Sequence, residues 1–236
     1  MQTTGQAPSL AGLTIIITGG TGVIGGAAAS VFMKEAKGIV IFSRGANNSS
    51  PFAEADNILM ISGNITSPQD VQRLCDLTRT RFGRIDALIN CAGVVPKHTF
   101  MEMPHQNWQT AIEINLVGYA LLCRSVLPHM IRDGFGRIIN ITTRLAANPK
   151  PLMSAYSSSK AGAHILTSCI ASEIAQQGHF NILINDLVPG PTGKNGQNPL
   201  LVVPFLRELI LLPANGPTGK TYFRGRIYDL FGTPMA

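Results

Sequence analysis

The sequence predicts a single α/β domain: a doubly wound parallel sheet of about seven strands with helices on both faces. Three observations predict it. The chain has 236 residues, enough for one domain with a sizeable core. Short runs rich in β-branched residues alternate with longer stretches of helical character along the whole chain. These short runs are apolar throughout rather than alternating, as strands covered by helices on both sides must be. Residues 1–10 read as an N-terminal tail and 11–236 as the domain.

The elements follow in order. LTIIIT at 13–18 is a buried strand, and a glycine-rich turn leads from it into an alanine-rich helix over about 22–37. GIVIFS at 38–43 and NILMIS at 57–62 are the next strands, with a polar, turn-rich stretch over 45–57 between them. Ser67-Pro68 opens a helix with a cap and a first-turn proline, and it runs to about Phe82. DALIN at 86–90 is the fourth strand and a long helix covers about 105–132. GRIINIT at 136–142 is the fifth strand, followed by a helix over 154–177. FNILINDLV at 180–188 is the sixth. A helix near 199–212 and a last strand near 221–228 close the chain.

Composition narrows the function. Hydrophobic residues make up 45% and charged residues 14%, which implies extensive burial, including a subunit interface. The long helices carry apolar residues around most of their circumference, among them Leu116, Tyr119, Leu122, Val126, Ile165, Cys169 and Ile174. That predicts a homodimer or homotetramer packed through these helices. Apolar runs look too short for a bilayer span and the N-terminus lacks signal-peptide character, so the expectation is a cytoplasmic protein without membrane attachment. Four scattered cysteines and five scattered histidines give no metal-binding spacing and no Ser-His-Asp pattern. The net charge of +6 comes from Lys and Arg spread along the chain. No nucleic-acid partner is expected, and an anionic cofactor explains the sign as well.

TGGTGVIG at 18–25 joins the first strand to the first helix. Glycine there allows a tight turn and a close backbone approach to a pyrophosphate, which the helix N-terminus then faces with free N–H groups. Gly19, Thr21, Gly22, Val23 and Ile24 are the candidate contacts. At the end of the second strand, Ser43-Arg44 lacks the acid that NAD sites place near the ribose 2′-OH. An arginine suits a 2′-phosphate, which favours NADP over NAD. Farther on, Tyr156 and Lys160 stand one helical turn apart on one face. An ammonium there would lower the phenol pKa from about 10 toward working pH and make a general acid/base. Thr143 lies at the carboxyl end of the fifth strand, where its hydroxyl can meet a substrate carbonyl oxygen.

Together these stretches resemble the short-chain dehydrogenase/reductase family, single-domain branch, from about residue 10 to 225. NCAG at 90–93 is similar to the family's NNAG on the cofactor side, which points to Asn90, Ala92 and Gly93. Asn115 in EINLVG matches the asparagine of the catalytic tetrad, GRIINITT the strand carrying the catalytic serine, and YSSSK the YxxxK. GNIT at 63–66 places Asn64 and Ile65 beside the adenine. NDLVPGP at 185–191 resembles the segment that contacts the nicotinamide, which points to Pro189, Gly190 and Thr192. GPTGKTYF at 216–223 resembles the last sheet strand.

The resemblance implies a Rossmann fold and an NADP-dependent carbonyl reductase or alcohol dehydrogenase. Tyr156 would act as acid/base, with Lys160 on the phenol and the nicotinamide ribose. Asn115 would help hold a water, and Thr143 would orient the carbonyl of a fairly apolar substrate. A weakly active member serving as dinucleotide sensor or scaffold is the alternative. Four departures stand out. Thr143 replaces serine. The glycines follow TGxxGxxG, with Val23 where a glycine is usual. Asn64 replaces an aspartate. The segment over 191–205 is short for a substrate lid, with Lys194 where a threonine is frequent.

Overall fold

The structure is a computed structural model that describes residues 9–46, 52, 55–192 and 196–232. Lys194, the tail over 1–8 and most of the polar stretch over 47–54 lie outside the described residues. Seven strands run parallel: β1 (Thr14–Thr18), β2 (Gly38–Ser43), β3 (Ile58–Ser62), β4 (Ala87–Asn90), β5 (Gly136–Ile141), β6 (Ile182–Val188) and β7 (Thr221–Phe223). An antiparallel β8 (Arg226–Ile227) pairs with β7 at the edge. The sheet order is β3-β2-β1-β4-β5-β6-β7-β8. The direction of winding reverses between β1 and β4, so a crevice opens beyond the carboxyl ends of these strands.

Helices cover both faces, as the fully buried strands require. One face packs on α1 (Val23–Phe32) and α6 (Val203–Ile210), around Phe32, Ile15, Ile39 and Leu206. The other packs on α2 (Pro68–Phe82), α4 (Gly118–Asp133) and α5 (Ser154–Gln176), around Leu74, Leu88, Val126 and Ile184. Helix α3 (His105–Ile112) leads into α4 through a π-helical turn over Glu113–Val117. At the amino end of β5 a buried arginine ties three segments together. Arg137 donates to the carbonyls of Gly136, Asn181 and Leu212, and its guanidinium lies 4.3 Å from the Phe135 ring centroid. Burial lowers its pKa to about 10.

Several expected boundaries move for physical reasons. The first helix stops at Phe32 rather than near 37, because the Asn57 amide donates to the carbonyls of Met33 and Ala36 and closes the helix end. The helix expected near 199–212 begins as a 3₁₀ turn over Pro199–Val202. The last strand breaks in two, because Arg224 and Gly225 take φ of 52° and 74° and turn the chain back on itself. The expectation about apolar length also needs correcting. The helix over His105–Asp133 is long and apolar enough to cross a membrane. In the fold its Leu122, Val126 and Met130 are buried against the sheet, as in a core helix. Tyr119, Leu122, Val126 and Ile174, read as candidate interface residues, are likewise buried within the chain, whereas Leu116 is half-buried and Ile165 and Cys169 are exposed.

Candidate active site

The glycine turn after β1 is built by close contacts. Gly19 adopts φ +64°, and a Cβ there would stand 2.9 Å from the Ala92 backbone. A Cβ on Gly25 would stand 2.5 Å from the Gly19 carbonyl, so the turn and the first turn of α1 need both glycines. Gly22 is the N-cap of α1, with no capping side chain and no acid in the first turn. The helix therefore presents a bare, electropositive N-terminus. Thr18 fixes the other side of the turn: its Oγ1 accepts from the backbone N–H of Cys91 at 3.2 Å and of Ala92 at 3.3 Å. Sequence inspection missed that residue, although a threonine closing the strand just before the glycines was its signal.

A cleft of about 360 Å³ lies here, along the carboxyl ends of β1, β2, β3 and β4. Nine of the expected cofactor residues line it: Gly19, Thr21, Gly22, Ser43, Arg44, Asn64, Ile65, Ala92 and Gly93. Thr21 donates to Ser43 Oγ at 3.2 Å. Arg44 is exposed at the rim. Asn64 already accepts from the Thr66 N–H through its amide oxygen, which anchors the loop. Val23 and Ile24 open α1, and Val23, the residue in the usual glycine position, is 52% exposed beside the turn. The approachable backbone, the uncapped helix end and the cleft fit a dinucleotide.

Asn90 differs from expectation. Its side chain is fully buried and donates to Asn140 Oδ1 at 2.8 Å, so it knits the sheet instead of lining the cleft. Its place as the last residue of β4, opposite Asn140 in register, sets that direction. Pro189, Gly190 and Thr192 follow β6 at the same end of the sheet. Gln197 folds their loop back, donating to the Pro189 carbonyl at 2.6 Å and bridging to Thr192. The described part of 191–205 continues into the 3₁₀ turn, where Leu200 and Leu201 are exposed.

The four residues expected to be catalytic gather around the amino end of α5 and the end of β5. Thr143 follows β5, and its Oγ1 accepts from the Leu145 N–H at 3.2 Å. Burial raises the Tyr156 pKa, and the nearby Thr143 hydroxyl opposes that rise. The expected lowering of the phenol by Lys160 is therefore not what the geometry gives. Lys160 turns to other partners: Nζ donates to the Ile141 carbonyl at 2.7 Å and to the Tyr119 hydroxyl at 2.8 Å, and lies 4.3 Å from the Tyr119 ring centroid. It is 3% exposed, and burial lowers its pKa to about 8, against the attraction of Asp186 and Cys91.

Asn115 sits in the π-helical turn, fully buried. Its amide accepts from the Val94 N–H and donates to the Val94 carbonyl, both at 2.9 Å, and donates to Ser159 Oγ at 3.0 Å. Ser159 in turn donates to the Tyr156 carbonyl. The Asn115 side chain thus clamps the loop after β4 to α5. Ser159, which carries part of this clamp, was not singled out from sequence, and Tyr119 was read only as an interface residue. The Tyr119–Lys160 contact joins residues 41 positions apart on two helices, and only the fold brings it about.

A family model described as short chain dehydrogenase matches residues 13–200. The chain is 32% identical over 138 residues to a 3-oxoacyl-[acyl-carrier-protein] reductase of Synechocystis sp., a match covering 58% of this chain and 55% of that protein. It is 31% identical over 184 residues to a D-beta-hydroxybutyrate dehydrogenase of Rhizobium meliloti, covering 75% of this chain and 70% of the relative. A crystal structure of a short chain dehydrogenase from Bacillus anthracis superposes with a TM-score of 0.81 at 24% identity, over 90% of this chain and 94% of the other.

The buried ammonium has a signature in stability. Lys160 titrates at about 8 in the folded protein, against an ordinary value of 10.5. Between these values the unfolded chain binds more protons, so this group's contribution makes stability rise with pH over about 8–10.5. Urea unfolding of wild type and Lys160→Met should therefore show a difference that moves in favour of wild type across that window and is flat below it. A pH-independent difference would contradict the burial of this charge.

Proposed function

The chain belongs to the short-chain dehydrogenase/reductase family, and we propose that it interconverts a carbonyl and an alcohol as an NADP-dependent oxidoreductase. The observation that carries this reading is the gathering at the carboxyl end of β5 of Thr143, the Tyr156 phenol on which its hydroxyl acts, and Lys160 one helical turn beyond the phenol. The bound nicotinamide supplies the hydride for reduction, or accepts it for oxidation. Gly19, Thr21, Gly22, Val23 and Ile24 would hold the pyrophosphate, Ser43 and Arg44 the adenosine ribose with its phosphate, and Asn64 and Ile65 the adenine. Ala92, Gly93, Lys160, Pro189, Gly190 and Thr192 would hold the nicotinamide half.

This chain's residues then divide the remaining work. A phenol whose pKa is raised by burial is protonated at neutral pH, so Tyr156 is ready as an acid toward a carbonyl oxygen. Thr143 donates to that same oxygen and keeps it facing the phenol. Lys160 does not hold the phenol down before reaction, and its part begins with proton transfer, when a positive charge one helical turn away favours the phenolate left behind. Asn115 holds the loop after β4 against α5, which keeps this arrangement in register with the cleft. The names of the two relatives both place oxygen on C3 of an acyl or carboxylate chain, so 3-oxoacyl thioesters and 3-oxo acids belong beside simple apolar ketones in a substrate panel. Assembly through α4 and α5 is part of the proposal, because Leu116, Ile165 and Cys169 keep apolar surface outside the chain's own core.

Three outcomes are expected. By titration calorimetry NADPH binds at least about tenfold more tightly than NADH, and Arg44→Asp erases the preference; equal affinities in wild type would exclude the assignment. With a substrate from the panel, Tyr156→Phe loses turnover while keeping NADPH binding, and Thr143→Ala lowers kcat by about 10²–10³-fold whereas Thr143→Ser retains it. Tight NADPH binding without turnover on any substrate would favour the sensor reading instead. Light scattering at micromolar concentration should give a dimer or tetramer, and a monomer of 25.2 kDa would count against the interface.

A further inference from the structure

One polar layer crosses the sheet just below the site. Thr18, Asn90, Asn140, Asp186 and Thr221 stand opposite one another in register on β1, β4, β5, β6 and β7, and all are buried. Their side chains connect through α5. Asn90 donates to Asn140, Asn140 donates to Thr167 at 2.8 Å, and Thr167 donates to Asp186 Oδ1 at 2.6 Å. His164 Nδ1 lies 2.8 Å from Asp186 Oδ2 and 3.2 Å from Thr221 Oγ1. Asp186 is the only carboxylate in this layer, and it is fully buried beside Asn185 in a strand whose other residues are apolar.

Its position relates it to the catalytic helix. Tyr156, Lys160 and His164 follow one another at four-residue spacing on α5 and share a face. His164 meets the carboxylate directly. Lys160, one turn earlier, is anchored on the carbonyl of Ile141, the residue after Asn140, and Asn140 is the register partner of Asp186. Both direct partners of the Lys160 ammonium are neutral, the Ile141 carbonyl and the Tyr119 hydroxyl. A buried cation held only by neutral dipoles tends to lose its proton.

We propose that Asp186 is a positioning residue for the proposed reaction: its buried carboxylate is the built-in counter-charge that keeps Lys160 an ammonium beside Tyr156. The inference rests on the role given to Lys160 above. The other titratable groups facing Lys160 are the Tyr119 phenol from α4, the Tyr156 phenol from α5 and the Cys91 thiol after β4. Tyr119 and Cys91 are pushed up by burial, Cys91 to about 12, so neither supplies an anion near neutral pH. Facing Asp186 are His164 and Lys160 from α5 and, from α4, the Tyr119 phenol and the Cys123 thiol, the thiol pushed up to about 12. The attraction between Asp186 and Lys160 opposes the effect of burial on both.

The test reads Lys160 itself. The free protein is prepared with lysine isotope-labelled at Cε, and the Lys160 resonance is identified as the one absent from Lys160→Arg. Its titration midpoint should move to lower pH in Asp186→Asn, which keeps the shape and the acceptor for Thr167 but removes the charge. The alkaline limb of kcat/KM should move the same way, and Asp186→Glu should restore both. An unmoved Lys160 midpoint in Asp186→Asn overturns the inference whatever the protein catalyses. A moved midpoint in a protein that reduces no carbonyl leaves the counter-charge standing and removes the proposed reaction instead. Should Asp186→Asn fail to fold, the carboxyl carbon resonance of Asp186 in wild type decides: an ionised carboxylate at pH 7 supports the inference, and a protonated one overturns it.

Discussion

A lysine ammonium buried at the carboxyl end of the central strands is the constraint around which this chain is arranged. In the proposed reaction Lys160 favours a phenolate at Tyr156 from one helical turn away, yet its position is walled by the sheet and two helices. Desolvation works against the charge, and the surroundings offset part of that cost. The Ile141 carbonyl and the Tyr119 hydroxyl and ring face the ammonium directly. The carboxylate of Asp186 acts on it from the adjacent strand. Each of these partners sits on a different element, so the charge also links α4, α5, β5 and β6.

The same principle appears at the opposite end of β5. Arg137 is buried there among backbone carbonyls and binds the residue before β6 and the chain just after α6 to the sheet. One cation at each end of a single strand gives the sheet two charged anchors, beside the polar layer that crosses it. The two differ in consequence. Arg137 is enclosed by structure alone, whereas Lys160 lies beside the crevice that the reversal of strand order opens. Asn115 joins that crevice to α5 through the loop after β4, so the cleft and Tyr156 share one frame.

Much of this was legible in the sequence. Strands with apolar residues on both faces have little freedom in where they begin and end, so β2 matches its expected bounds and the other parallel strands in the middle of the sheet differ by a residue or two. The spacing of Tyr156 and Lys160 and the TGxxGxxG turn depend on local geometry, and both fall where expected. What was missed depends on contacts between distant segments. The direction of the Asn90 side chain, the Tyr119–Lys160 contact and the polar layer through Asp186 follow from strand register, which no local pattern encodes. An aspartate inside NILINDLV was a visible anomaly, but its partners were not. The π-helical turn left no mark, because EINLV is ordinary helical sequence. The β7–β8 turn did leave one in Gly225, which reads as a turn residue only once Arg224 is seen to share its positive φ.

Hydride transfer to a carbonyl within this buried arrangement is tested most directly with NADPH deuterated at C4 on one face of the nicotinamide, incubated with the ketone and 3-oxoacyl thioester panel. The products are analysed by mass spectrometry. The expected product is an alcohol with deuterium on the carbinol carbon when one face is labelled and none when the other is. Alcohol formed without deuterium from either face, or tight NADPH binding with no alcohol at all, would contradict it.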